Sequence, residues 1–305
     1  MLEYRDKPVW QELVVIIIAV GVGLFVGAGI GAFIGSFFYT GEGDPLLAFT
    51  KAPDETVKIS LLVLQGFTSL FGFFLVPLVA WSTFTKKTFK NLRGQWPSTH
   101  IWWLLPLLVI AFVVVDSPVI YWNMHLDLPD SAFEQWARAQ EDQLAEITRL
   151  LTTFVSPGEF ILAFVIVAII AGITEEFLFR GLIQNAMHRG LGNPHLAIWF
   201  TAIIFSAIHA QFYGFVPRML LGALFGYLYV WSGNIWIAIG AHIINNGFSL
   251  VMMYLAQLNQ VEMDMENEIA PWPLIAIGLV LGVGILIYFY KHFRQMKQPS
   301  ESLRS

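Results

Sequence analysis

Glu175, Glu176 and Arg180 sit inside an apolar stretch, Glu175-Glu176-Phe177-Leu178-Phe179-Arg180, where a charge facing lipid would be costly. An ionisable side chain at the bilayer centre costs roughly 2.5–3.5 kcal/mol on insertion scales, so such groups face a protein interior and mark a site. Two later apolar segments carry the same oddity: Phe205-Ser206-Ala207-Ile208-His209 and His242-Ile243-Ile244-Asn245-Asn246. Residues four apart share a helix face, so Glu176 can pair with Arg180, Gln184 extends that stripe, and Glu175 is turned away by about 100°. The spacing divides the two acids: Glu176 is neutralised as a structural pair, while Glu175 keeps a carboxylate available for work as a base. By the same rule Phe205 with His209, and His242 with Asn246, each lie along one face.

A carboxylate, two imidazoles and an amide converging in a water-filled cavity suit hydrolysis, in which a base activates water and donors receive the oxyanion. Such a site needs no covalent intermediate. Glu175, His209 and His242 could alternatively hold zinc with an open position for water. Asn246 is a poor zinc ligand and a good donor to an oxyanion, so the reading leans towards chemistry with no required cofactor, zinc being the alternative. Two non-hydrolytic readings compete. In one the polar cluster only fixes helix packing in an immunity or scaffold protein, since a lone membrane histidine is more often a hydrogen bonder between helices. In the other Glu175 and the histidines relay ions in a transporter, against which the two halves of the chain show no duplication and the site lies wholly in the second.

The elements that must position these residues are set by composition. The chain has 305 residues, 56% hydrophobic and 13% charged, with mean hydropathy +0.64, against about 25% charged in a soluble domain. This predicts an all-α polytopic membrane protein with an intramembrane active-site cavity. Eight spans of about 20 apolar residues are read near 13–38, 57–84, 100–122, 159–185, 195–211, 214–232, 235–256 and 272–290. One membrane domain, 1–305, is expected: three N-terminal helices (1–125), an extracytoplasmic amphipathic segment (126–156), the catalytic core (157–256), and a last helix with its tail (257–305). The absence of cysteine removes disulfides, thiolate zinc sites and thiol nucleophiles. No nucleic-acid partner is expected; the partners are the lipid bilayer and a membrane-associated protein or peptide.

Charge is segregated by loop. Arg5 and Lys7, then Lys86, Lys87, Lys90 and Arg93, then Arg189, then Lys291, Arg294 and Lys297 recur at every second connection. The positive-inside rule places those connections, and both termini, in the cytoplasm. Glu42, Asp44, Asp54, Glu55, the acids between Asp127 and Glu146, and Glu262, Asp264, Glu266 and Glu268 fall on the other side, with Lys51, Lys58, Arg138, Arg149 and Arg218 running against the trend. With that orientation Glu175 lies about two thirds along a span running inward, placing the cavity towards the cytoplasm. Residues 128–156 read as an interfacial helix capped by Asp130 or Ser131. Pro157 reads as a helix start, and Asp116-Ser117-Pro118 as a kink near the interface. Gly23, Gly27, Gly31 and Gly35 form a smooth packing stripe, echoed by Gly222 with Gly226.

Taken in order, Glu175-Glu176 with Arg180 resembles an EExxxR motif, Phe205 with His209 an FxxxH motif, and His242 with Asn246 an HxxxN motif. Over roughly residues 159–250 the chain is similar to the CPBP family, which contains the type II CAAX prenyl endopeptidases and the Abi bacteriocin-processing and self-immunity proteins. The resemblance implies an eight-helix intramembrane bundle in a bacterial plasma membrane acting as an endopeptidase. It further implies that Glu175 and His209 activate water, that His242 and Asn246 form the oxyanion site, and that Glu176, Arg180 and Phe205 support them. The family contains enzymes called metalloproteases and relatives that look glutamate-dependent, and its CAAX-processing members remove a C-terminal tripeptide.

Overall fold

The computed structural model describes residues 8–49, 54–127, 129, 131–259 and 268–297; Arg5, Lys7, Lys51, Asp130, Glu262, Asp264 and Glu266 lie outside them. The principal helices are α1 (Val9–Ser36), α2 (Lys58–Thr85), α3 (Thr99–Met124), α4 (Ala132–Thr152), α5 (Pro157–Leu191), α6 (Pro194–Ala207), α7 (Phe215–Ser232), α8 (Ile235–Gln257) and α9 (Trp272–Lys297). Among the described residues all but α4 and α6 are long and apolar enough to cross a membrane. The eighth apolar segment is α6, whose 14 residues reach only about 21 Å against a hydrocarbon core of about 30 Å.

Local chemistry sets the boundaries. Ser131 caps α4 by accepting from Glu134 N at 3.2 Å, and Ser156 caps α5 by accepting from Glu159 N at 3.3 Å, with Pro157 in the first turn where a missing N–H costs little. Asn193 and Asn234 cap α6 and α8 in the same way. Gly192 and Gly233, at φ 65° and 66°, close α5 and α7 in the left-handed conformation that glycine tolerates best.

Hydrogen bonds between helix ends define the two faces of the bundle. On one, Glu12 of α1 accepts from Trp81 Nε1 of α2 at 3.0 Å and pairs with Arg189 of α5, while Ser98 before α3 meets His292 of α9 at 3.2 Å. On the other, Lys58 of α2 pairs with Glu159 of α5 at 3.0 Å, and Asn123 of α3 donates to Phe212 O at 3.2 Å and accepts from Val216 N at 2.9 Å. Gln257 of α8 joins that second face by donating to Thr152 O at 2.6 Å. Lys86, Lys87, Lys90 and Arg93 follow α2 on the first face; α4 lies on the second. Two basic residues that run against the charge pattern are paired there, Lys58 with Glu55 and Glu159, and Arg138 with Glu134.

The glycine stripe of α1 packs inside the chain. A Cβ at Gly27 would stand 2.6 Å from Phe67 O, one at Gly35 2.8 Å from Ser60 O, and one at Gly23 would collide with Phe71 O, so α1 and α2 touch backbone to backbone. The opposite side of α1 is bare apolar surface, with Phe25 83% exposed, as a lipid-facing helix requires. α5 is the centre of the bundle: Phe177, Leu178, Phe179 and Leu182 are buried in the main hydrophobic cluster with Phe225 of α7 and Ile239 of α8.

Candidate active site

α5 is not a uniform α-helix. Phe164–Ile170 and Phe177–Gln184 adopt the wider π turn, and the regular stretch between them, Ala171–Glu176, carries both acids. Wide turns of this kind cluster at functional sites because they rotate side chains out of the ordinary helical phase. No residue type in the stretch announces them.

The two neighbouring acids go to different places. Glu176 is fully buried; its Oε1 accepts from Arg180 NH1 at 2.7 Å and from His242 Nδ1 at 2.8 Å. Arg180, equally buried, also donates from NH2 to Gly222 O at 2.7 Å and lies between the rings of Phe205 and Phe225, 4.8 and 5.5 Å from their centroids. Gln184 extends the stripe as its spacing requires, donating to Gly226 O at 3.2 Å. The glycines make this docking feasible, since a Cβ at Gly226 would lie 2.7 Å from Gln184 Oε1.

Glu175 instead lines a cavity of about 470 Å³, shared with His209, His242 and Asn246. The four residues named for chemistry from their spacing therefore meet at one space, and Glu176 and Arg180 stand behind it. His242 bridges the two sets: Nδ1 is bound to Glu176, the ring stacks on Phe225 at 5.2 Å, and Nε2 faces Glu175 Oε2 at 3.9 Å, beyond hydrogen-bond reach. A carboxylate accepts, so Nδ1 carries the proton and Nε2 is the nitrogen presented to the cavity. Asn246 is held by a bond from Nδ2 to Val167 O at 2.9 Å, and Asn245 Nδ2 donates to its Oδ1 at 3.2 Å.

His209 is not on a helix face. α6 ends at Ala207, and His209 sits in the turn that follows, ahead of Ala210 at φ 54°. Its relation to Phe205 survives: Nδ1 bonds Phe205 O at 2.8 Å and the rings meet edge-on at 5.1 Å. A carbonyl only accepts, so His209 carries its proton on Nδ1 and leaves Nε2 as the free lone pair.

Asp116 is buried at 7% exposure and lines the same cavity, and α3 continues through Pro118 to Met124. One expectation is corrected. The cavity is not displaced towards the basic-loop face. α5 is 35 residues long, so Glu175 lies near its middle, and the lining continues through Met124, Gln211, Tyr213 and Arg218 to Glu141 of α4. It extends towards the α4 face.

The sequence reading missed Glu141, Gln211 and Arg218 as cavity residues. Arg218 carried the same signal as Glu175, an ionisable group inside an apolar segment; Glu141 had no such signal, being one acid of many on a polar helix.

Glu175, His209 and His242 are the candidate zinc ligands; among the described residues no three His, Cys, Asp or Glu side chains come together as a metal shell.

Residues 157–248 match the family described as Rce1-like, type II CAAX prenyl endopeptidase Rce1-like. That range spans α5 to most of α8 and bears out the resemblance drawn from the three motifs. Over 120 residues the chain is 30% identical to a Bacillus subtilis (strain 168) protein named "Putative membrane peptidase YdiL", covering 39% of this chain and 47% of the relative. Over 84 residues it is 27% identical to "Uncharacterized protein YpbD" of the same organism, covering 26% of this chain and 40% of the relative. The chain thus spans less than half the length of either. No solved structure matches it.

Proposed function

We propose that this protein is an intramembrane endopeptidase that hydrolyses a peptide bond of a membrane-associated protein or peptide with water activated by Glu175. The observation that carries the reading is the convergence of Glu175, His209, His242 and Asn246 on one cavity, while Glu176 and Arg180 neutralise each other outside it. The similarity to the Rce1-like family and to a named membrane peptidase supports the same class of reaction.

In this reading the attacking water sits between Glu175 and the free Nε2 of His209. Glu175 takes its proton as the new C–O bond forms, and the carbonyl oxygen becomes an oxyanion. His242, anchored through Nδ1 by Glu176, and the amide of Asn246 form the oxyanion site. Collapse breaks the C–N bond, and the proton held by Glu175 passes to the departing amine. Positioned base catalysis contributes about 10²–10⁴-fold, and loss of one oxyanion donor costs about 10²–10³-fold in comparable sites. No step is routed through a metal, and a chelator is expected to leave turnover unchanged.

In this reading the basic-loop face opposite α4 is cytoplasmic, and substrates reach the cavity from the extracytoplasmic side or laterally from lipid. The test is a comparison of protein termini in membranes of cells making wild-type protein or Glu175→Gln at matched levels. New termini appearing only with wild type are expected and name the substrates. Identical profiles, with both proteins inserted, would transfer the protein to the immunity or scaffold class.

A further inference from the structure

The cavity contains a cation that the hydrolytic scheme does not use. Arg218, in the first turn of α7, is the only lysine or arginine lining it among the described residues. NH2 donates to Gln211 Oε1 at 2.6 Å, and Gln211 Nε2 donates in turn to Glu141 Oε1 at 3.1 Å, so the guanidinium is held from the turn after α6 and from α4. Gly214 completes the cradle, since a Cβ there would stand 3.2 Å from NH2. NH1 is enclosed with no hydrogen-bond partner, and among the described residues no carboxylate forms an ion pair with Arg218. Arg180 offers the contrast, with its charge met by Glu176. An enclosed guanidinium that makes no ion pair is costly, and, tied at NH2 alone, it keeps donors free in the planar geometry that fits a carboxylate.

Resting on the endopeptidase reading, we propose that Arg218 is a specificity-determining residue that binds a carboxylate of the substrate, so that the enzyme selects peptides bearing a negative charge near the scissile bond. Two sources carry that group: the free C-terminal carboxylate of the peptide, or an aspartate or glutamate side chain. Gln211 and Glu141 act as positioning residues that aim the fork, and they bring α4 into substrate selection.

The test reads binding without turnover. Full-length Glu175→Gln protein in phosphatidylethanolamine/phosphatidylglycerol vesicles is titrated with fluorescent apolar peptides in three forms: a free C-terminal acid, the neutral C-terminal amide, and the amide with one glutamate. A carboxylate form is expected to bind roughly 10- to 100-fold tighter than the neutral amide, the range of a hydrogen bond to a charged group. Adding Arg218→Gln should erase the preference, and Arg218→Lys should retain part of it, which separates lost recognition from lost folding. Preference for the free acid alone assigns the C-terminus; preference for the glutamate form assigns a side chain. Equal binding of all three, binding of none, or a preference that survives Arg218→Gln would overturn the proposal. Because cleavage is not read, failure of the protease reading in the termini comparison remains a separate result.

Discussion

α1 and α7 carry the same sequence signal, glycines four apart, and use it for opposite purposes. In α1 the stripe Gly23, Gly27, Gly31 and Gly35 admits the backbone of α2, and among the described residues no side chain of α2 donates to a carbonyl of these glycines. In α7 Gly222 and Gly226 admit the polar stripe of α5, and their carbonyls accept from Arg180 and Gln184. The first contact builds a wall. The second buries a charge pair at the centre of a membrane protein and fixes His242 through Glu176. A small-residue stripe therefore reports close approach, and the chemistry of the approaching helix decides whether the result is packing or a site.

The sharpest way to break the contrast is Arg180→Ala, which leaves the buried Glu176 without its guanidinium and with His242 alone. It should cost about 3–5 kcal/mol, seen as a large drop in melting temperature in detergent, and should abolish cleavage. Next come matched substitutions in the two stripes. Gly27→Ala and Gly226→Ala each force a Cβ into an occupied position, 2.6 Å from Phe67 O and 2.7 Å from Gln184 Oε1, and each should cost about 1–3 kcal/mol. Cleavage per folded molecule should stay at the wild-type level in the first and fall in the second; equal activity in both would dissolve the distinction. Phe225→Leu removes the ring stacked on His242 and should cost about 0.5–1.5 kcal/mol beyond lost area, read as a lower kcat with KM little changed. Smallest of all is Gly29→Ala, where nothing lies within 4 Å: melting temperature should shift by less than the equivalent of about 0.5 kcal/mol.

Much of this was legible because insertion into lipid makes polar residues expensive and so makes each one informative. The separation of Glu175 from Glu176 and the continuation through Gln184 follow from helical spacing, the Ser131 cap and the Pro157 start from helix-end chemistry, and all appear in the structure. The truncation of α6 did not, because an apolar run continues through Ile208 and nothing in residue type marks Ala207 as its end. The wide turns of α5 have no compositional signature. Asp116 reads in sequence only as part of a kink, whereas the residues that share its cavity come from α5 and α8. Glu141 needed the fold itself, since only its place in the cavity lining distinguishes it from its acidic neighbours on α4.

The central claim is the division of labour between adjacent acids, one that works and one that holds. It is tested most directly by measuring peptide cleavage by purified Glu175→Gln protein in vesicles, at a melting temperature matching wild type. The account predicts a fall of at least about 10²-fold with folding intact. Cleavage by this variant at close to the wild-type rate would contradict it and remove Glu175 from the chemistry.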